Sequence, residues 1–140
     1  MTDDRVWVDQ DGRETVACSR SDGMGLELLS KAGIEAVVLS KEENPVVARR
    51  CEKLGISFRQ GVEKKLSALQ KILAERKVES RDVVYVGNDV NDLECMHHVG
   101  FSFAPADAHP EVKQQTDRVL ARPGGRGAVR EVCEILLAVT

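Results

Sequence analysis

Two short, uninterrupted apolar runs, Ala36-Val-Val-Leu39 and Val83-Val-Tyr-Val86, constrain the fold of this chain more than any other feature. Neither alternates with polar residues, so each is expected to be a strand buried on both faces. Helical patterns surround them. Met24 to Ala32 carries apolar residues at helical spacing and stops at Gly33, a natural C-cap. Asn44-Pro45 reads as an N-cap with proline in the first turn of a helix that ends at Gly55. Lys65 to Lys77 places Leu66, Leu69, Ile72 and Leu73 on one face, and Asn91 to His98 is a short helix closed near Gly100. Gly127 to Ala138 forms the last helix, with Val129, Val132, Cys133, Leu136 and Leu137 toward the core. Ile56 to Phe58 is a weaker strand, while Phe101 to Phe103 and Val119-Leu120 read as edge strands. Near the N-terminus, Arg5 to Asp9 and Arg13 to Cys18 flank Asp11-Gly12, a two-residue type I′ turn signal, and predict a β-hairpin over 5–18. Strands alternating with helices imply an α/β domain with a Rossmann-like parallel sheet flanked by helices. The length of 140 residues suits one such domain over 1–140.

Composition excludes several classes of function. The net charge of -3, with both signs interspersed, lacks the basic footprint of a nucleic-acid binder. No apolar run is long enough to span a bilayer, and no basic segment followed by an apolar stretch opens the chain, so a cytoplasmic protein is expected. Cys18, Cys51, Cys95 and Cys133 are far apart, with no C-x-x-C pair and no histidine spaced to complete a zinc site. Cys51 and Cys133 fall within helical patterns and read as small core residues. His97, His98 and His109 read as structural or exposed.

In a parallel sheet ligands bind beyond the carboxyl ends of the strands, which directs attention to three turns. The densest is Val86-Gly-Asn-Asp-Val-Asn-Asp92, where two carboxylates and two amides supply the hard oxygen atoms that Mg²⁺ prefers. Any one of Asn88 or Asp89 alone reads equally well as a helix cap; the cluster of Asn88, Asp89 and Asp92 reads as a candidate metal site. Ser40 follows the first apolar run directly, where a hydroxyl can donate to a phosphate oxygen or simply serve the turn. Lys65 opens a helix, and a cation there opposes the positive end of the helix dipole unless an anion sits nearby; Glu63 is a local candidate. Finally, Pro123-Gly-Gly-Arg-Gly-Ala-Val-Arg130 leads glycine-rich backbone into a helix N-terminus, with Arg126 and Arg130 adding charge for an anion. The bland alternative there is a flexible connection to the last helix.

Taken in order, these segments resemble the haloacid dehalogenase superfamily, and more narrowly the family of 3-deoxy-D-manno-octulosonate 8-phosphate phosphatases with the related domain of CMP-sialic acid synthetases. The resemblance rests on Asp22-Gly-Met-Gly25, residues 28–35, Gln60-Gly61 with Lys65, residues 86–92, residues 106–112 and residues 124–131. It implies a HAD-like fold, Mg²⁺ as cofactor and a phosphorylated sugar acid as substrate, hydrolysed by phosphoryl transfer to an aspartate. It further implies that Ser40 holds a phosphoryl oxygen and Lys65 pairs with nucleophile and phosphate. Asn88, Asp89 and Asp92 would supply the metal site, while Asp22, Gly23, Arg126 and Arg130 would contact substrate. The hairpin would be a flap over the site, and the assembly a homotetramer. Two departures stand out. The family's D-x-D-G motif, with nucleophile and general acid, would precede Thr2-Asp3 and does not occur in residues 1–140, and Asn88 stands where the family has a metal-binding Asp. The 140 residues are therefore expected to be inactive alone, with Met1 an internal methionine of a longer chain. The alternative is a non-catalytic, phosphatase-like oligomerisation domain of the kind that accompanies some CMP-sialic acid synthetases.

Overall fold

The computed structural model describes residues 2–140. Strands β1 (Trp7–Val8) and β2 (Glu14–Thr15) pair antiparallel, with Trp7 opposite Thr15 and Val8 opposite Glu14. Their connection differs from the two-residue turn suggested by Asp11-Gly12. Asp9 N donates to Arg13 O, which leaves Gln10 to Gly12 as a three-residue loop, and only Gly12 in it takes a positive φ, of 78°. The Asp9 carboxylate sets this geometry by accepting from the amides of Asp11 and Arg13, both at 2.9 Å.

Helix α1 (Arg20–Lys31) starts four residues earlier than its apolar spacing suggests, because Ser19 caps it through Asp22 N at 3.3 Å. Strand β3 (Val37–Leu39) leads to α2 (Val46–Leu54), whose entry is fixed by Asn44 Oδ1 accepting from Val46 N. Strand β4 (Ser57–Arg59) and helix α3 (Lys65–Arg76) follow, then β5 (Val84–Val86) and α4 (Leu93–His98). The chain closes with β6 (Phe101–Ala104), α5 (Pro110–Gln115), β7 (Arg118–Val119) and α6 (Ala128–Val139).

The parallel strands fall into two groups. β3 lies beside β4, and β5, β6 and β7 run side by side in that order. Among the described residues β3 and β5 do not pair with each other, so each keeps one backbone edge without a strand partner. β3 and β5 are half-buried rather than enclosed on both faces as expected, but apolar clusters meet both sides of β5, which accounts for its unbroken apolar run. Val84 and Val86 pack with Phe103, Leu120, Ala128 and Val132 under α6, while Tyr85 packs with Met96, Ala104, Ala108 and Val112 under α4 and α5.

β6 lies in the middle of its sheet rather than at an edge. Ser102 disguises it: the residue is only 2% exposed, yet its hydroxyl donates to Asp117 Oδ2 at 2.7 Å and accepts from Asp117 N at 3.1 Å. A fully satisfied hydroxyl can sit inside a sheet at little cost. α1 and α6 cross closely because Gly25 carries no side chain; a Cβ there would lie 3.1 Å from both Arg130 Cδ and Cys133 Sγ. Among the described residues no helix is long and apolar enough to cross a membrane.

Candidate functional site

The carboxyl ends of β4 and β5 are joined by one buried ion pair. Lys65, the first residue of α3, reaches Asp92 Oδ1 at 2.7 Å, with side-chain exposures of 12% and 5%. This is the anion that a lysine at a helix start requires. Glu63 is engaged elsewhere, with Lys41 at 3.3 Å. Asp92 is held from four directions: Oδ1 also accepts from Tyr85 Oη at 2.9 Å, and Oδ2 accepts from the amides of Asn88 (3.0 Å) and Asp89 (3.3 Å). Two donors on each oxygen fill the acceptor capacity of a carboxylate. The turn can wrap this tightly because residue 87 is glycine: a Cβ there would stand 2.6 Å from Asp92 Cβ and 2.8 Å from Met96 Sδ.

Tyr85 and Cys95 complete the surroundings. Burial first, and then the Asp92 carboxylate, push the Tyr85 hydroxyl far above its usual range, so it remains a proton donor. Burial likewise raises the fully enclosed Cys95 thiol. Lys65 has three N–H donors, and Asp92 is its one hydrogen-bond partner among the described residues. Two donors on a nearly buried ammonium are thus left for another oxygen ligand.

Asn88 and Asp89 differ from Asp92 in being available. Asn88 Nδ2 donates to Asp4 Oδ2 at 3.0 Å, while its Oδ1 has no hydrogen-bond donor among the described residues. Asp89 is exposed and caps the following 3₁₀ turn through Val90 N at 2.7 Å. Asn88 also lines a cavity of about 140 Å³ with Thr2, Asp3, Asp4, Pro105, Asp107 and Gly124. Among the described residues no three His, Cys, Asp or Glu side chains converge on a metal position. Asn88 and Asp89 together fit part of the oxygen shell of Mg²⁺, whose remaining ligands are ordinarily waters, substrate oxygens and further carboxylates.

Ser40 stands at the carboxyl end of β3, beside the turn that leads to Lys65, for its carbonyl accepts from Val62 N at 3.0 Å. Its hydroxyl accepts from Glu42 N at 3.1 Å and keeps its own proton to donate. The remaining candidates group differently. Asp22 is 4% exposed and accepts from Arg130 N at 3.0 Å, so this carboxylate caps the start of α6 across 108 residues. Its second oxygen, Oδ2, has no hydrogen-bond partner, which leaves the carboxylate stabilised by the N-terminal ends of α1 and α6. Gly23 is packed against Leu54 and Arg50, whose atoms would meet a Cβ at 3.0 and 3.1 Å. The Arg130 guanidinium pairs with Glu134 at 2.7 Å, and Arg126 is exposed with no ion pair among the described residues. The cluster around Lys65 and the cluster around Asp22 share no hydrogen bond among the described residues.

Tyr85 and Ser19 escaped the sequence reading. Tyr85 looked like one more apolar strand residue, and its role depends on Asp92 lying within reach of its hydroxyl. Ser19 was legible in principle, as a Ser three residues before the Asp22 amide it caps.

The family model of haloacid dehalogenase-like hydrolases matches residues 57–129, which include Lys65, Tyr85 and Asp92. The 3-deoxy-D-manno-octulosonate 8-phosphate phosphatase of Escherichia coli (strain K12) is 37% identical over 138 residues, covering 98% of this chain and 73% of that protein. A HAD family hydrolase from Streptomyces avermitilis MA-4680 superposes with a TM-score of 0.93 at 46% identity, covering 95% of this chain and 76% of the other. The 3-deoxy-D-manno-octulosonate 8-phosphate phosphatase of Moraxella catarrhalis, solved with magnesium, phosphate and KDO, superposes with a TM-score of 0.95 at 31% identity, covering 99% and 80%. A buried lysine–aspartate pair at the strand ends of a Rossmann-like sheet, on a chain aligned almost end to end with these proteins, leaves one assignment: it belongs to the haloacid dehalogenase-like hydrolases, in the family of the 3-deoxy-D-manno-octulosonate 8-phosphate phosphatases.

Proposed function

We propose that this chain is the scaffold of a Mg²⁺-dependent phosphomonoesterase acting on a phosphorylated sugar acid of the 3-deoxy-D-manno-octulosonate 8-phosphate type, in the cytoplasm. The observation that carries the reading is the Lys65–Asp92 pair, a nearly buried ammonium with two N–H donors uncommitted among the described residues. Those donors suit one phosphoryl oxygen and one nucleophilic carboxylate. Ser40 donates its hydroxyl proton to a second phosphoryl oxygen. Asn88 and Asp89 contribute oxygen ligands to Mg²⁺, and Asp92 serves as the anchor of Lys65. When bound, the ion neutralises charge that builds up on the transferring phosphoryl group. Asp22, Gly23, Arg126 and Arg130 remain proposed substrate contacts. Of these, Arg126 has the exposed side chain, without an ion pair among the described residues, that such a role needs.

The aspartate pair of the chemistry is absent from residues 1–140. We place it on an additional parallel strand between β3 and β5, which do not pair with each other among the described residues. On this reading residues 1–140 bind phosphate but do not turn substrate over, and a strand ending in D-x-D-G, when supplied to them, completes the site. Phosphate release measured with malachite green in Mg²⁺, on the 140 residues and on a chain extended upstream by such a strand, tests both parts. Turnover by the extended chain alone is expected. Strong turnover by the 140 residues contradicts the missing nucleophile, and none by the extended chain contradicts the phosphatase.

A second reading, a phosphatase-like oligomerisation domain, is favoured by the hairpin, where Trp7 and Val8 are 69% and 63% exposed. Large apolar side chains on an exposed ribbon suit contact with other copies, as in a homotetramer. Light scattering with magnesium calorimetry separates the readings: a tetramer that takes up no magnesium supports this one.

A further inference from the structure

We infer that Tyr85 is a positioning residue: its hydroxyl fixes where on the Asp92 carboxylate the Lys65 ammonium sits, and so where that ammonium meets an anion. The inference rests on the reading of Lys65 as an anion-binding group. Tyr85 Oη and Lys65 Nζ share a single oxygen, Asp92 Oδ1, at 2.9 and 2.7 Å. A carboxylate oxygen offers two acceptor directions. Tyr85 takes one of them, which leaves Lys65 the other. The opposite oxygen is held by the Asn88 and Asp89 amides, so the carboxylate itself cannot turn. Lys65 otherwise has a long stem with several rotatable bonds, and a fixed acceptor is what confines it.

Tyr85 suits this task because its ring is packed against the core. It extends from the centre of β5 into the cluster of Met96, Ala104, Ala108 and Val112. Its hydroxyl donates to Asp92 Oδ1 at 2.9 Å from that packed position. Without the hydroxyl, Oδ1 offers Lys65 both acceptor directions, and Nζ spreads over two positions.

The test is Tyr85→Phe, which keeps the ring and removes only the hydroxyl. Lysine ¹⁵Nζ–¹H correlation spectra of the labelled chain should show one slowly exchanging ammonium signal, assigned to Lys65 by its loss in Lys65→Arg. In Tyr85→Phe that signal should broaden or move toward the position of solvent-exposed lysines. Binding of inorganic phosphate in Mg²⁺, followed by calorimetry, should weaken about tenfold, the value of one hydrogen bond to a charged group. A merely structural tyrosine would lower the melting temperature and leave the Lys65 signal in place, and that result overturns the inference. So does the absence of any protected Lys65 signal in the parent chain, since the role requires a tethered ammonium. The two failures are separable. A parent chain that binds no phosphate counts against the phosphatase reading, whereas an unmoved Lys65 signal in Tyr85→Phe counts against Tyr85 alone.

Discussion

Replacing Asp92 by asparagine isolates the charge of the residue on which the site is built, because the two side chains have nearly the same shape. Asp92 accepts from Lys65 and Tyr85 on Oδ1 and from two backbone amides on Oδ2. Asparagine retains one oxygen. If that oxygen stays with the amides, an NH₂ group faces an ammonium and a hydroxyl, and two hydrogen bonds to a charged group are lost. Stranding one partner of a buried pair costs about 3–5 kcal/mol. The Lys65 side chain keeps 12% exposure, so some water can reach Nζ and the lower end of that range applies. We expect Asp92→Asn to lose about 3 kcal/mol, a fall of about 1.5 M in the urea midpoint at a slope of about 2 kcal/mol/M. Lys65→Met in the same background removes the stranded charge, so the double variant should lose less than the sum of the singles by about 2 kcal/mol. Equilibrium urea unfolding of the four proteins reads both quantities. A loss below about 1 kcal/mol for Asp92→Asn, or strict additivity of the pair, would refute the picture of a desolvated, mutually dependent lysine and aspartate.

Other parts of the structure make separate claims. Gly87→Ala should cost about 2–3 kcal/mol in thermal or urea unfolding, since its Cβ would overlap Asp92 and Met96 and the turn must shift; a neutral result would mean that the turn is loosely packed. Asp22→Ala removes the carboxylate that caps α6 and should cost about 1–2 kcal/mol, with no loss showing that the Arg130 amide finds water instead. The Ser102 hydroxyl and amide hold Asp117 below the usual carboxylate range, so this bond contributes stability above about pH 4 and loses it as pH falls through the lowered native value. Ser102→Ala should therefore destabilise most near neutrality, with the gap in melting temperature closing in acid; a gap independent of pH contradicts it. With a thiol reagent at about pH 8, Cys18 should react in the native chain, while the buried Cys51, Cys95 and Cys133, the last pushed up to about 11 by burial, should require denaturant.

The sequence made the scaffold legible where a single physical cause dominated. The runs at 36–39 and 83–86 announced parallel strands, and β3 and β5 do pair in parallel, although their residues are half-buried rather than fully enclosed. Gly33 and Gly55 marked helix ends, both with positive φ. β6 was misread as an edge because Ser102 broke its apolar pattern, and the Asp117 carboxylate that satisfies that hydroxyl lies 15 residues away. α5 went unread, although His109-Pro110 is an N-cap followed by proline at the first helical position. Lys65 was singled out correctly as a lysine in need of an anion, but the choice of Asp92 over the nearer Glu63 depends on how α3 and β5 are brought together. Asp22 is the sharpest case. The family resemblance implies a substrate contact there, and the fold also sets it against the start of α6, a neighbour that no local pattern names.

The proposed D-x-D-G strand would lie between β3 and β5, and amide hydrogen exchange reads that position directly. Ser40 N donates to Arg59 O and Gly87 N to Phe103 O, so strand alternation points the amides of Leu39 and Val86 away from β4 and β6, toward the open edges. In the 140 residues these two amides should exchange rapidly, whereas those of Ser40 and Gly87 should be protected. In a chain extended upstream by a strand ending in D-x-D-G, Leu39 and Val86 should gain protection of about a hundredfold or more. A folded extended chain in which both amides still exchange as fast as in the 140 residues would contradict the account.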